Sequence, residues 1–79
     1  MNDTIRANIG ISKDGATDEE IKSAAEKAYA LDFIERIEGQ ETKSSLPPGF
    51  YKICGKRGQN LSGGEKQRVA IASVLLKKP

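Results

Sequence analysis

Twice in this chain a hydroxyl residue is followed three positions later by glutamate and then by an apolar stripe of helical spacing. The first instance is Thr17-Asp18-Glu19-Glu20, with Ile21, Ala24, Ala25, Ala28 and Leu31 behind it. The second is Ser62-Gly63-Gly64-Glu65, followed by Val69, Ala72 and Leu76. In a capping box of this kind the hydroxyl accepts the N–H of the third helical residue, and the glutamate reaches back to the N–H of the cap. Two such starts commit much of a short chain to helix. The acids at 18–20 sit where the positive end of a helix dipole favours them, and Asp18 and Lys22 are spaced for a favourable surface pair. The last helix is expected from about Gly63 to Lys77, because Lys77 and Lys78 suit its negative end and Pro79 suits a stop.

The remaining segments fill in around these two helices. Asn2 to Ile9 reads as a short helix capped by Asn2 or Asp3, with Ile5 and Ile9 on one face. Gly10 to Ala16 reads as a polar connection. Asp32 caps a further short helix holding Phe33, Ile34 and Ile37, or the preceding helix runs on through it. Gly39 ends the helical pattern, and the chain to Asn60 is rich in Ser, Pro, Gly and Lys. Leu46-Pro47-Pro48-Gly49 is expected to be non-helical, since proline restricts the residue before it and lacks an N–H. A short extended piece is expected around Tyr51 to Cys54. The fold class predicted is therefore mainly α: a small helical unit of three to four helices with a long irregular loop.

Composition excludes several functions. A chain of 79 residues makes one small domain or a piece of a larger one. Its aromatics are Tyr29, Phe33, Phe50 and Tyr51, so the core must be mostly aliphatic. Net charge is +2 with both signs interspersed, which does not suggest a nucleic-acid or membrane-surface binder. Cys54 is the only cysteine, so an internal disulfide is excluded, and the absence of histidine excludes imidazole catalysis and ligation. No apolar run approaches the length of a membrane span, and no secretory signal is present.

The candidate site is the second helix start. Gly63 and Gly64 follow the Ser62 cap, so no Cβ blocks approach to the backbone N–H groups. Those N–H groups and the helix dipole attract phosphate. On residues alone, an ordinary Ser-capped helix with a glycine-rich lead-in stays open beside this reading.

The run Leu61-Ser62-Gly63-Gly64-Glu65-Lys66-Gln67-Arg68, continued by Val69-Ala70-Ile71-Ala72, resembles the signature motif of the ATP-binding cassette ATPases, whose core is LSGGQ or LSGGE. The likeness extends along the chain. Asn2-Asp3-Thr4-Ile5-Arg6-Ala7-Asn8-Ile9 resembles the segment after the Q-loop of exporter-type cassettes. Ala16 to Ile21, Ala24-Ala25 and Asp32-Phe33-Ile34 resemble the helices that follow. Leu46-Pro47-Pro48-Gly49-Phe50 is similar to an LP-x-G-[YF] step, and Gly55-Lys56-Arg57-Gly58 stands at the exporter X-loop, commonly VGERG. Two residues depart from the pattern: Lys56 replaces the usual Glu of the X-loop, and Ser73 stands where this helix often has Arg.

The resemblance implies an excised helical subdomain over residues 1–79, running from after the Q-loop to before Walker B, with Met1 an artificial start. A phosphate-cradling GxxxxGK[ST] loop is missing. Gly10 and Gly15 have its spacing, but Ala16 stands where lysine is needed. Gly49 and Gly55 precede Lys56 with one residue too many between them, and Arg57 replaces the hydroxyl. Without Walker A, Walker B or H-loop the piece is expected to be inactive alone, while the parent would be an ABC-type ATPase powering export. What the family further implies is that Ser62, Gly63, Gly64 and, with Lys66, Gln67 face ATP held on the Walker A of a second nucleotide-binding domain. Magnesium would belong to the parent site and not to this chain. Gly55, Lys56, Arg57 and Gly58 would couple to intracellular helices of the membrane domain, and a RecA-like core of the same cassette would be a further partner, with no nucleic acid. The parent would be membrane-associated, with this segment on the ATP-containing side and itself soluble. Two alternatives are a piece of a soluble cassette ATPase of DNA repair or chromosome maintenance, and a stand-alone helical interaction module.

Overall fold

A computed structural model describes residues 3–54 and 61–77. Four α-helices appear among them: α1 (Ile5–Gly10), α2 (Asp18–Lys27), α3 (Leu31–Arg36) and α4 (Gly63–Lys77), with a 3-10 turn at Pro48–Tyr51 between α3 and α4. The mainly α expectation holds, and α4 has the predicted bounds.

Helix α1 is capped by Thr4, whose hydroxyl accepts the Ala7 N–H at 3.0 Å, and not by Asn2 or Asp3 as the sequence suggested. The reason lies one residue earlier and forty-odd residues later. Asp3 spends its carboxylate on the Thr4 N–H at 2.7 Å. Thr4 is held extended by an antiparallel bridge to Ile53, flanked by the Ile5 N–H to the Lys52 carbonyl and the Cys54 N–H to the Asp3 carbonyl, both 3.0 Å. This bridge is what remains of the extended piece expected at 51–54, because Tyr51 belongs to the 3-10 turn. Prolines 47 and 48 did not keep this region free of helix: Pro48 opens the turn, where a missing N–H has no cost, and the Pro47 carbonyl accepts the Phe50 N–H at 3.1 Å.

Helix α2 carries the complete capping box. Glu20 N–H donates to the Thr17 hydroxyl at 3.2 Å, and Thr17 N–H donates to the Glu20 carboxylate at 3.0 Å. The helix does not run on to Leu31. Tyr29 adopts φ 60°, and the Tyr29 and Ala30 N–H groups turn back to the carbonyls of Glu26 and Ala25 at 3.0 and 2.8 Å. That is the Schellman closure, which usually places glycine where Tyr29 stands. Helix α3 restarts at Leu31 without a side-chain cap, and Asp32 lies in its first turn instead of at the cap.

Helix α4 packs on α1 and α2, while α3 packs on α2 and the 3-10 turn. Their apolar faces meet in one core. Ile5, Ile9, Ile21, Ile34, Phe50 and Val69 are all buried, and no charged or polar side chain among the described residues is buried with them. Gly49 makes the turn's close approach to α3 possible: a Cβ there would lie 2.1 Å from the Ile34 carbonyl oxygen.

The expected Asp18–Lys22 pair does not form in the described contacts. Asp18 instead joins three segments. Its Oδ1 accepts from the Arg6 guanidinium of α1 at 2.9 Å, and its Oδ2 accepts from the Ser44 hydroxyl at 2.8 Å. The Ser44 oxygen in turn accepts the Leu46 N–H at 3.1 Å, and Leu46 is in the core. The Ser44 and Arg6 hydrogen bonds hold the Asp18 carboxyl below its ordinary value. Glu20 is likewise lowered, first by its hydrogen bond from Lys13 and then by the Thr17 backbone.

Candidate phosphate-binding helix tip

The start of α4 is fixed from both sides. Upstream, Leu61 is buried in the core. Downstream, Val69, Ala72 and Leu76 hold the helix body against α1 and α2. Between them the tip is exposed at Ser62, Gly63 and Gly64.

The capping box sorts the donors at this tip. The Ser62 N–H donates to the Glu65 carboxylate at 2.9 Å, and the Glu65 N–H donates to the Ser62 hydroxyl oxygen at 3.2 Å. The Lys66 N–H begins the helical ladder on the Ser62 carbonyl at 3.0 Å. The N–H groups of Gly63 and Gly64 precede that ladder and have no carbonyl to reach within the helix. The Ser62 hydroxyl accepts from the Glu65 N–H and donates to no acceptor among the described residues, so its own hydrogen is available to an outside acceptor. The tip therefore presents two backbone N–H groups and one O–H side by side.

Neither glycine is there to relieve this chain's own structure. A Cβ added at Gly63 or at Gly64 meets nothing within 4 Å, and neither residue has a positive φ. Glycine in a helix costs up to about 1 kcal/mol relative to alanine. The chain carries that cost twice with no return from its own packing, which is intelligible if something outside must come close to the backbone. Gln67 and Lys66 are exposed on the turn behind the tip.

The donor set fits an anion. A hard cation would require a shell of oxygen ligands, and the described residues gather no group of three or more His, Cys, Asp or Glu side chains. The tip's neighbours across the fold carry no signal in the local sequence. A cleft of about 270 Å³ beside the tip is lined by Leu61 and Glu65 together with Phe33, Arg36, Ile37 and Glu38 from the end of α3. These residues are far apart in the chain, so no local spacing announces them. The X-loop candidates Gly55, Lys56, Arg57 and Gly58 lie outside the described residues. No helix among the described residues is long and apolar enough to cross a membrane.

No family model matches the chain. Individual proteins do. It is 49% identical over 76 residues to an ATP-dependent lipid A-core flippase of Desulfotalea psychrophila, covering 96% of this chain and 12% of that protein. It is 49% identical over 79 residues to an ATM1-type heavy metal exporter of Novosphingobium aromaticivorans, covering 100% of this chain and 12% of that protein. A solved structure of a bacterial Atm1-family ABC exporter with ATP bound superposes with a TM-score of 0.77 at 48% identity, over 100% of this chain and 12% of that one. The chain thus spans about an eighth of the length of the relatives it matches. With that coverage, and with a helical fold that follows theirs, the chain is a small helical domain homologous to part of the nucleotide-binding domains of ATP-binding cassette transporters of the Atm1 exporter type.

Proposed function

We propose that this chain is the helical subdomain of a cassette ATPase that drives export, and that its α4 tip closes over the terminal phosphate of ATP held by a second cassette. The observation that carries this reading is the pair Gly63 and Gly64, open to solvent in ordinary helical geometry, with N–H groups that meet no acceptor among the described residues. The relatives point the same way, since their names are those of an ATP-dependent flippase and an exporter.

In this reading the Ser62 hydroxyl and the Gly63 and Gly64 N–H groups receive the γ-phosphate oxygens. Gln67, with Lys66, reaches toward the ribose or the phosphates. ATP with its magnesium would supply the charge and the reacting bond; the residues here supply orientation. A helix tip gains about 0.3–2 kcal/mol from an adjacent anion. Association costs on the order of 4–15 kcal/mol, so the tip cannot hold a nucleotide by itself. It can bias closure once another cassette has bound one. That division of labour suits a half-site working in trans, with a RecA-like core beside it. Residues 55–58 would meet the intracellular helices of a membrane domain, which places the parent at a membrane.

The test uses the longer protein that carries this segment. Gly63→Asp places a carboxylate where the phosphate is to sit. ATP turnover is expected to fall by at least two orders of magnitude, while nucleotide binding measured without turnover stays within about twofold of wild type. Loss of that initial binding, or full turnover, would refute the trans-capping role.

A further inference from the structure

One oxygen of Asp18 has two rival partners. Its Oδ1 is held by Arg6, whose Nε donates to it at 2.9 Å while a terminal nitrogen donates to the Ala16 carbonyl at 3.3 Å. Its Oδ2 accepts from the Ser44 hydroxyl at 2.8 Å. Lys22 stands four residues further along α2, with the acid before the base, the order that favours an ion pair across one turn. In the structure Asp18 makes its ion pair with Arg6 and not with Lys22. Lys22 nevertheless lines a cleft of about 350 Å³ together with Thr42, Ser44 and Leu46. The rival therefore faces the same cleft as the residue it would replace.

The segment that carries Ser44 lies on the outside of the fold. Residues 38–43 and 45 are exposed, Ser44 is half-buried, and only at Leu46 does the chain enter the core. Its internal bonds are local: the Ser44 N–H donates to the Thr42 hydroxyl oxygen at 3.2 Å, and the Leu46 N–H to the Ser44 hydroxyl oxygen at 3.1 Å. An outward swing of residues 38–45 breaks the Ser44–Asp18 bond and leaves Leu46 where it is. Local openings of this kind need far less free energy than unfolding.

We propose that residues 38–45 form a two-state strap, and that Asp18 exchanges Ser44 for Lys22 when the strap opens. Arg6 keeps Oδ1 in both states, so the joint between α1 and α2 persists. The closed state holds a hydrogen bond from a neutral hydroxyl. The open state holds an exposed ion pair, which salt screens more strongly. Lys22 thus works against closure, although it lines the cleft beside the strap.

The exchange rate of the Leu46 amide hydrogen, followed by NMR in this chain, reports the opening, because that N–H is bonded to Ser44. Lys22 is exposed, so Lys22→Gln keeps the fold. It should slow Leu46 exchange about twofold at low salt, the scale of an ion pair four residues apart on a helix. Salt at about 0.5 M should bring wild type down to the variant's rate and barely move the variant. Exchange in Lys22→Gln that is equal to or faster than wild type sinks the switch, and so does a wild-type rate indifferent to salt. A matching change at the Val69 amide also counts against it, since the whole fold and not the strap would then be opening. Stability gives a second readout. In Ser44→Ala the open state dominates, so adding Lys22→Gln should lower the folding constant about twofold more than it does in wild type, read from urea midpoints. Strict additivity of the two substitutions would refute the exchange of partners.

Discussion

At the scale of single residues, the glycines divide into two kinds that a sequence cannot distinguish. Gly49 is required by packing: its absent Cβ would press to 2.1 Å from the Ile34 carbonyl oxygen and 3.0 Å from the Ile37 Cβ. Backbone cannot retreat as a flexible side chain can, so the 3-10 turn would have to leave α3. Gly63 and Gly64 have empty space where a Cβ would go. Opposite effects are therefore expected in the isolated chain. Gly49→Ala should destabilise by about 3 kcal/mol or more, and Gly63→Ala should stabilise by up to about 1 kcal/mol, both read from urea midpoints. Destabilisation by Gly63→Ala would mean that this glycine serves the fold and not an outside contact. Tyr29 is a third case: a non-glycine at φ 60°, exposed to 78%, in a Schellman position that favours glycine.

At the scale of elements, what holds the irregular segment before the 3-10 turn is Asp18. It stands at the first position of α2, accepts from Arg6 of α1, and accepts from Ser44 of the loop. Its folded-state pKa is lowered, chiefly by the Ser44 bond, and that of Glu20 is lowered chiefly by Lys13. A depressed carboxylate adds stability above its unfolded pKa and loses it as pH falls through the folded one. The chain contains no histidine, so no side chain with an ordinary titration near neutrality intervenes. The thermal midpoint should be flat from about pH 8 to pH 5 and drop below about pH 4. In Ser44→Ala the drop should be shallower, because the bond that most lowers Asp18 is gone. A midpoint that falls steeply between pH 7 and 5 would contradict this. The same residue shows what local patterning conveys. Thr17 and Glu20, or Ser62 and Glu65, announce a helix start because both partners lie within one turn. Helix α4 and the faces of α1 and α2 were legible for that reason, as was the donor-bearing tip. Asp18's partners lie 12 and 26 residues away, and the Thr4–Ile53 bridge that moves the α1 cap is longer-range still. Spacing pointed to Lys22 and to Asn2 or Asp3 because nothing local marks those distant contacts.

At the scale of the whole molecule, stability is one-sided. Helix α4 is the only helix among those described longer than ten residues, and it buries Val69, Ala72 and Leu76 against α1 and α2. Its opposite face leaves Ile71 and Val74 exposed at 43% and 58%. A domain this small has a modest core, and total stabilities of about 5–15 kcal/mol are usual even for larger ones. Two valines five residues apart should therefore behave very differently. Val69→Ala opens a void in the core that α4 shares with α1 and α2, and helices packed on two sides cannot easily close it. It should cost about 2 kcal/mol, and Val69→Asp should leave the chain unfolded, because a lone carboxylate would have no partner there. Val74→Ala should shift the urea midpoint by the equivalent of about 0.5 kcal/mol or less, and Val74→Asp should still fold, with the helical circular dichroism of wild type. If Val74→Asp unfolds the chain, the exposed face of α4 is covered in solution and the fold does not stand on the α1–α2–α4 core alone. If it folds, the tip of α4 is carried by packing on one side only, and the glycines at its start are free to meet whatever approaches from the other.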